Sequence, residues 1–169
     1  KTSNQEAKPD FNKTECTIYE GYMEEADLLF PISGQEYEQF PEMAASKMVI
    51  HRCFITNLEA DTSYWYRVGD KNSGLWSEVN TFTTAYSSED MSDEGFDFLL
   101  FTDSQGFIFS DMEVWKKVLK TSCAKYPDVD FMVHMGDFVE TANNALLWQY
   151  TFNLAPEEIR NNTIIPAIG

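Results

Sequence analysis

Phe96-Asp97-Phe98-Leu99-Leu100-Phe101-Thr102-Asp103-Ser104-Gln105 is a short apolar run that stops at an aspartate, and Asp130-Phe131-Met132-Val133-His134-Met135-Gly136-Asp137-Phe138-Val139-Glu140 repeats the pattern. Each run has the length of a strand and is too apolar for one solvated face, so both are predicted as buried strands. Between them, Val114, Trp115, Val118, Leu119 and Cys123 recur at helical spacing from Asp111 to Tyr126, and Pro127 closes that helix. The second strand is predicted over Val129 to Met135, a second helix over Ala142 to Leu154, and a third strand over Thr163 to Ile168. A β-α-β-α-β order implies a parallel sheet with right-handed crossovers.

Working towards the N-terminus, the pattern changes to strands separated by turn-formers. Met48 to Ile55, Ser63 to Val68 and Glu78 to Thr83 are rich in β-branched and aromatic residues. Alternation puts Tyr64, Tyr66 and Val68 on one face and Trp65 and Arg67 on the other, which suits a sandwich. Leu58-Glu59-Ala60-Asp61-Thr62-Ser63-Tyr64 resembles the fibronectin type III corner, in which a tyrosine hydroxyl bonds back to the backbone. Thr14 to Met23 and Ala26 to Ile32 offer further strands, and the opening strands of the sandwich are expected to precede Lys1. From Tyr86 to Gly95 the chain lacks apolar surface to pack and reads as a linker. The fold class is therefore multidomain: an all-β sandwich at 1–85, a linker at 86–95 and an α/β unit at 96–169.

Hydrophobic residues make up 43% of the chain, ample for packed cores, and no segment approaches the ~20 apolar residues that cross a bilayer as a helix. The formal charge of −16 repels nucleic-acid backbones and anionic lipid, so neither is an expected partner. An acidic substrate would need cations at its site. Cys16, Cys53 and Cys123 have no CxxC spacing, their odd number leaves one unpaired within the chain, and Cys53 and Cys123 fall in predicted core elements. Lys1-Thr2-Ser3-Asn4 does not read as a signal peptide. Asn12-Lys13-Thr14 and Asn161-Asn162-Thr163 match the glycosylation sequon, a pattern that arises often by chance.

In open parallel sheets ligands gather beyond the carboxyl ends of the strands. Asp103 and Asp137 sit at two such ends, and carboxylates brought close together are costly unless a cation neutralises them. Two metal ions about 3.5–4 Å apart can clamp a phosphoryl oxygen, with Asp137 placed to bridge them. Each aspartate taken alone is also compatible with an Asx-turn or a helix cap, and Gly136 with a plain turn. His134 lies inside the second strand and reads as a core or supporting histidine rather than a metal ligand. Glu140 is within reach of the site by sequence, and equally reads as an exposed loop carboxylate. Trp115 and Trp148 read as helix core.

The segments ending in Asp103-Ser104-Gln105 and Gly136-Asp137-Phe138-Val139-Glu140, with Ile165-Pro166-Ala167-Ile168-Gly169, resemble the first part of the calcineurin-like metallophosphoesterases. The module in front, with Tyr64-Trp65-Tyr66-Arg67-Val68-Gly69-Asp70 and Trp76-Ser77-Glu78-Val79-Asn80-Thr81-Phe82-Thr83-Thr84, is similar to the N-terminal domain of purple acid phosphatases. The resemblance implies a fibronectin type III-like module followed by the N-terminal β-α-β-α-β part of a metallophosphoesterase αββα sandwich. It implies a metal-dependent phosphoric ester hydrolase of acid phosphatase or phosphodiesterase type, secreted or at the cell surface, in which a hydroxide held by two metals attacks a small phosphate ester. By that resemblance Asp103 binds one metal and Asp137 bridges both. Gln105 stands where many relatives carry a metal-binding histidine, which implies a weak or water-mediated contact. Glu140 stands where purple acid phosphatases carry an iron-binding tyrosine, so the two di- or trivalent metals are expected among iron, zinc and manganese.

In the family the third strand runs into Gly-Asn-His and an acidic residue, whereas this sequence stops at Gly169 and contains only His51 and His134. The chain is therefore expected to be a fragment, inactive alone, with no catalytic residue of its own and a general-acid histidine beyond Gly169. Two rival readings stand beside this one. A haloacid dehalogenase-type phosphatase wants a second aspartate where Gln105 stands. An extracellular adhesion module with a degenerate phosphoesterase scaffold would not retain metal binding.

Overall fold

The structure, a computed structural model, describes residues 8–25, 49–89, 95–106, 109–142 and 144–167. In the N-terminal part the strands pair antiparallel in twos. β1 (Tyr22–Glu25) pairs with β2 (Val49–Arg52). The strand expected over Thr14 to Met23 thus begins only at Tyr22, and the one expected over Ala26 to Ile32 lies outside the described residues. β3 (Ser63–Tyr66) pairs with β6 (Asn80–Thr83). Between them β4 (Gly69–Asp70) and β5 (Leu75–Trp76) form a hairpin that the sequence reading does not anticipate, because strands of two residues leave no periodicity to detect. Its turn is closed by Asp70, whose Oδ1 accepts from the Asn72 N–H at 2.8 Å, and by Gly74 at φ 72°.

Alternation along β3 sets the packing there. Tyr64 lies opposite Phe82 and stacks on it at 5.6 Å between ring centroids, and Tyr66 meets the same ring edge-on at 5.8 Å. The corner forms as the sequence indicates: the Tyr64 hydroxyl accepts from the Glu59 N–H at 2.8 Å, spanning a turn in which Asp61 takes φ 45°. Tyr64→Phe keeps the ring stack and removes only that bond. It is expected to lower stability by about 1 kcal/mol, read as a shift of the urea midpoint; an unchanged midpoint would mean that the corner contributes nothing. Cys53, expected in a core element, is exposed. The chain leaves the ladder after Arg52, and β1 and β2 are exposed along their length, so this pair buries nothing at that position.

The second part runs β7 (Phe98–Phe101), α1 (Phe109–Lys125), β8 (Phe131–His134), α2 (Ala145–Leu154), α3 (Pro156–Arg160) and β9 (Ile164–Pro166). The three strands form one parallel sheet in the order β7-β8-β9, as the alternation of apolar strand and helix patterns requires. The unanticipated α3 starts with Pro156 in its first turn, where the missing N–H costs no helical bond. The core is built from Met112, Trp115 and Leu119 of α1, Met132 of β8, and Leu147 and Leu154 of α2. This corrects the helix stripe read from sequence, since Val114 and Val118 are 63% and 44% exposed. Adjacent residues point about 100° apart, so 114/115 and 118/119 cannot both face the sheet, and the larger members of each pair take the interior.

The helices cover one face of the sheet. Leu99, Phe101, Met132, His134 and Ile164 point into the core or pack against it. On the other face Phe98, Leu100 and Ile165 are exposed, with Phe96 beside them. β7 is therefore half-buried, not buried as its unbroken apolar run suggests. Among the described residues, the Tyr66 hydroxyl donates to the Arg160 carbonyl at 2.7 Å, and the Thr81 N–H donates to Asn161 Oδ1 at 2.9 Å, tying the two parts together. The first satisfies a carbonyl that the end of α3 leaves without an intrahelical partner. The second engages the side chain of the residue that heads the second sequon. Among the described residues, no helix is long and apolar enough to cross a membrane.

Candidate functional site

β7 and β8 end level, with Phe101 paired to His134, and the ladder continues past both ends. The Met135 N–H donates to the Phe101 carbonyl at 2.8 Å, Asp103 N–H to the Gly136 carbonyl at 3.3 Å, and Gln105 N–H to the Asp137 carbonyl at 3.1 Å. Asp103 and Asp137 are thereby brought to one edge of the sheet, at its carboxyl end, with both side chains exposed. Both take left-handed backbone conformations, φ 53° at Asp103 and 54° at Asp137, and Gly136 takes φ 106°. For an L-residue this conformation costs roughly 1–2 kcal/mol, less for Asp and Asn, whose short polar side chains bond locally. At Asp103 such a local bond is present, from the Thr102 hydroxyl to Oδ2. The loop after β7 then returns against α1 so tightly that a Cβ at Gly106 would lie 2.6 Å from the Cβ of Asp111.

Beneath the two carboxylates lies a buried polar pair. His134 is 1% exposed and Ser104 6%. His134 Nε2 is 2.9 Å from Ser104 Oγ, and that hydroxyl donates to the Phe138 carbonyl at 3.2 Å. The imidazole is stacked on the Phe138 ring at 3.6 Å between centroids and meets the edge of Trp115 at 5.5 Å. Burial pushes the His134 pKa below its ordinary value, while the nearby charges of Asp103 and Asp137 pull it back up.

The residues read from sequence meet different fates. Asp103 and Asp137 are brought together, and Gly136 supplies the turn between strand and carboxylate. Gln105 is half-buried, and among the described residues its buried Oε1 acceptor has no hydrogen-bond partner. Glu140 is exposed in the bends after Asp137. Two carboxylates and an orphaned amide oxygen suit a cation that takes oxygen ligands. Among the described residues, however, no group of three or more His, Cys, Asp or Glu side chains converges. The donor set therefore fits one edge of a metal centre rather than a closed cage. Sequence reading missed Ser104 altogether. Its only trace there is a hydroxyl residue between Asp103 and Gln105, and its role depends on a partner thirty positions away.

No curated protein and no solved structure matches the chain. Residues 3–84 match the family model described as the purple acid phosphatase N-terminal domain, a span that takes in the tyrosine corner, the β3–β6 pair and the hairpin between them. That match supports a purple acid phosphatase-like protein.

Proposed function

We propose that residues 96–169 are the first portion of the catalytic domain of a metal-dependent phosphoric ester hydrolase, preceded by the sandwich at 1–85 and the linker at 86–95. The observation that carries this reading is the pair of aspartates held in left-handed conformations at adjacent carboxyl ends of a parallel sheet. Strained backbone at such a position is retained where it aims a functional side chain. Asp103 and Asp137 would hold the metal ions, with the Gln105 Oε1 as a weaker oxygen donor beside them. Bound iron, zinc or manganese would supply activation of water and neutralisation of charge on a transferring phosphoryl group. The residues of this chain orient that centre. His134 is already committed to Ser104, and His51 lies exposed in β2, so neither is assigned the leaving-group proton. The ligand is a small phosphate ester, and the likeness to purple acid phosphatases favours an extracellular or cell-surface setting.

Metal and anion binding should be linked. Inorganic phosphate is expected to bind the chain loaded with Mn²⁺ or Zn²⁺ and not the metal-free chain, as followed by calorimetry. Phosphate binding of equal strength with and without metal, or no metal uptake at all, would overturn the proposal.

A further inference from the structure

The two left-handed aspartates are exposed, yet the residues that follow them are fixed from below. Ser104 comes directly after Asp103, and Phe138 directly after Asp137. The Ser104 hydroxyl has one proton, and the Phe138 carbonyl can only accept, so that proton goes to the carbonyl. Ser104 Oγ must then accept from His134, which assigns the imidazole proton to Nε2 and leaves Nδ1 bare; among the described residues Nδ1 indeed has no hydrogen-bond partner. The ring cannot turn away, because Phe138 stacks on it and Trp115 closes on its edge. Phe138 is consequently held twice, by its carbonyl through Ser104 and by its ring through His134. Backbone bonds also tie the two loops, from the Asp103 N–H to the Gly136 carbonyl at 3.3 Å and from the Gln105 N–H to the Asp137 carbonyl at 3.1 Å. We infer that Ser104 and His134 are positioning residues, a buried latch that keeps the Asp103 and Asp137 loops in register and holds both aspartates in their left-handed conformations.

For what the loops hold, the inference rests on the metal reading above; for the latch itself it rests only on the hydrogen bonds and ring contacts. Outer partners of metal ligands typically change affinity about ten- to a hundredfold when removed.

The test uses the full 169-residue chain as Ser104→Ala, Ser104→Thr and His134→Phe, the last keeping an aromatic ring while removing the Nε2 donor. In the metal-free chain, amide hydrogen exchange at Asp103 and Gln105 is expected to speed up at least about tenfold in Ser104→Ala and His134→Phe, relative to Met132 in the sheet, and to stay near the parent rate in Ser104→Thr. Mn²⁺ affinity is expected to fall about ten- to a hundredfold in the first two variants and to be retained in the third. Unchanged exchange in both Ser104→Ala and His134→Phe overturns the latch whatever the metal does. Faster exchange with parental Mn²⁺ affinity overturns its action on the site. Faster exchange in the two variants, together with no Mn²⁺ binding by the parent chain, upholds the latch and removes the metal reading instead.

Discussion

Asp137→Asn is expected to weaken Mn²⁺ binding at least about a hundredfold, equivalent to roughly 2.7 kcal/mol, while leaving the metal-free fold as stable as the parent. Asparagine has the shape of aspartate and enters the left-handed region as readily, so φ 54° is retained at no added strain. What is lost is the negative charge that the proposed reading assigns to metal binding. Asp137→Val gives the complementary result, because a β-branched residue at this φ is strained whatever its charge, and a loss of about 1–2 kcal/mol is expected. Calorimetric Mn²⁺ titration and urea denaturation separate the two effects. Parental Mn²⁺ affinity in Asp137→Asn would show that this carboxylate is no ligand and that its conformation serves the turn alone.

Leu119→Ala is expected to lower the stability of the α/β part by about 2–5 kcal/mol. Leu119 is fully buried among the residues that join α1 to the sheet. Removing its side chain leaves a cavity that Trp115 and Met132 can close only by moving, and Trp115 is the residue that edges His134. Val118→Ala is the control: the neighbouring residue is 44% exposed, and its loss is expected to stay within about 0.5 kcal/mol. Urea denaturation of the pair distinguishes a core stripe from a merely apolar helix. Similar losses for both would mean that α1 packs by a different face.

Much of the architecture is legible in local patterns. Short apolar runs, Pro127 and the helical spacing between them are enough to order the strands and helices of the α/β part, and Asp103 and Asp137 stand out because each terminates a run. The corner is likewise legible, since Leu58 to Tyr64 carries its own turn chemistry, and the Tyr64 bond spans only five positions. The hairpin β4–β5 and helix α3 escape detection because they are too short to display a period. The exposed valines of α1 escape it for another reason: with apolar residues side by side at 114/115 and 118/119, periodicity admits two neighbouring stripes and cannot choose between them. Residue 98–101 alternation is invisible for the same cause, because Phe98 and Leu100 are as apolar as the covered Leu99 and Phe101.

From the sequence alone come the order of the longer elements, the parallel sense of the sheet and the two aspartates at its carboxyl end, all encoded in spacing along a few consecutive residues. Only the tertiary structure decides that the helices cover a single face, that both aspartates turn left-handed, and that Ser104 and His134 meet beneath them. Those features depend on the register of β7 against β8 and on which side chains fill the space over the sheet, and both are set by contacts between residues far apart in the chain.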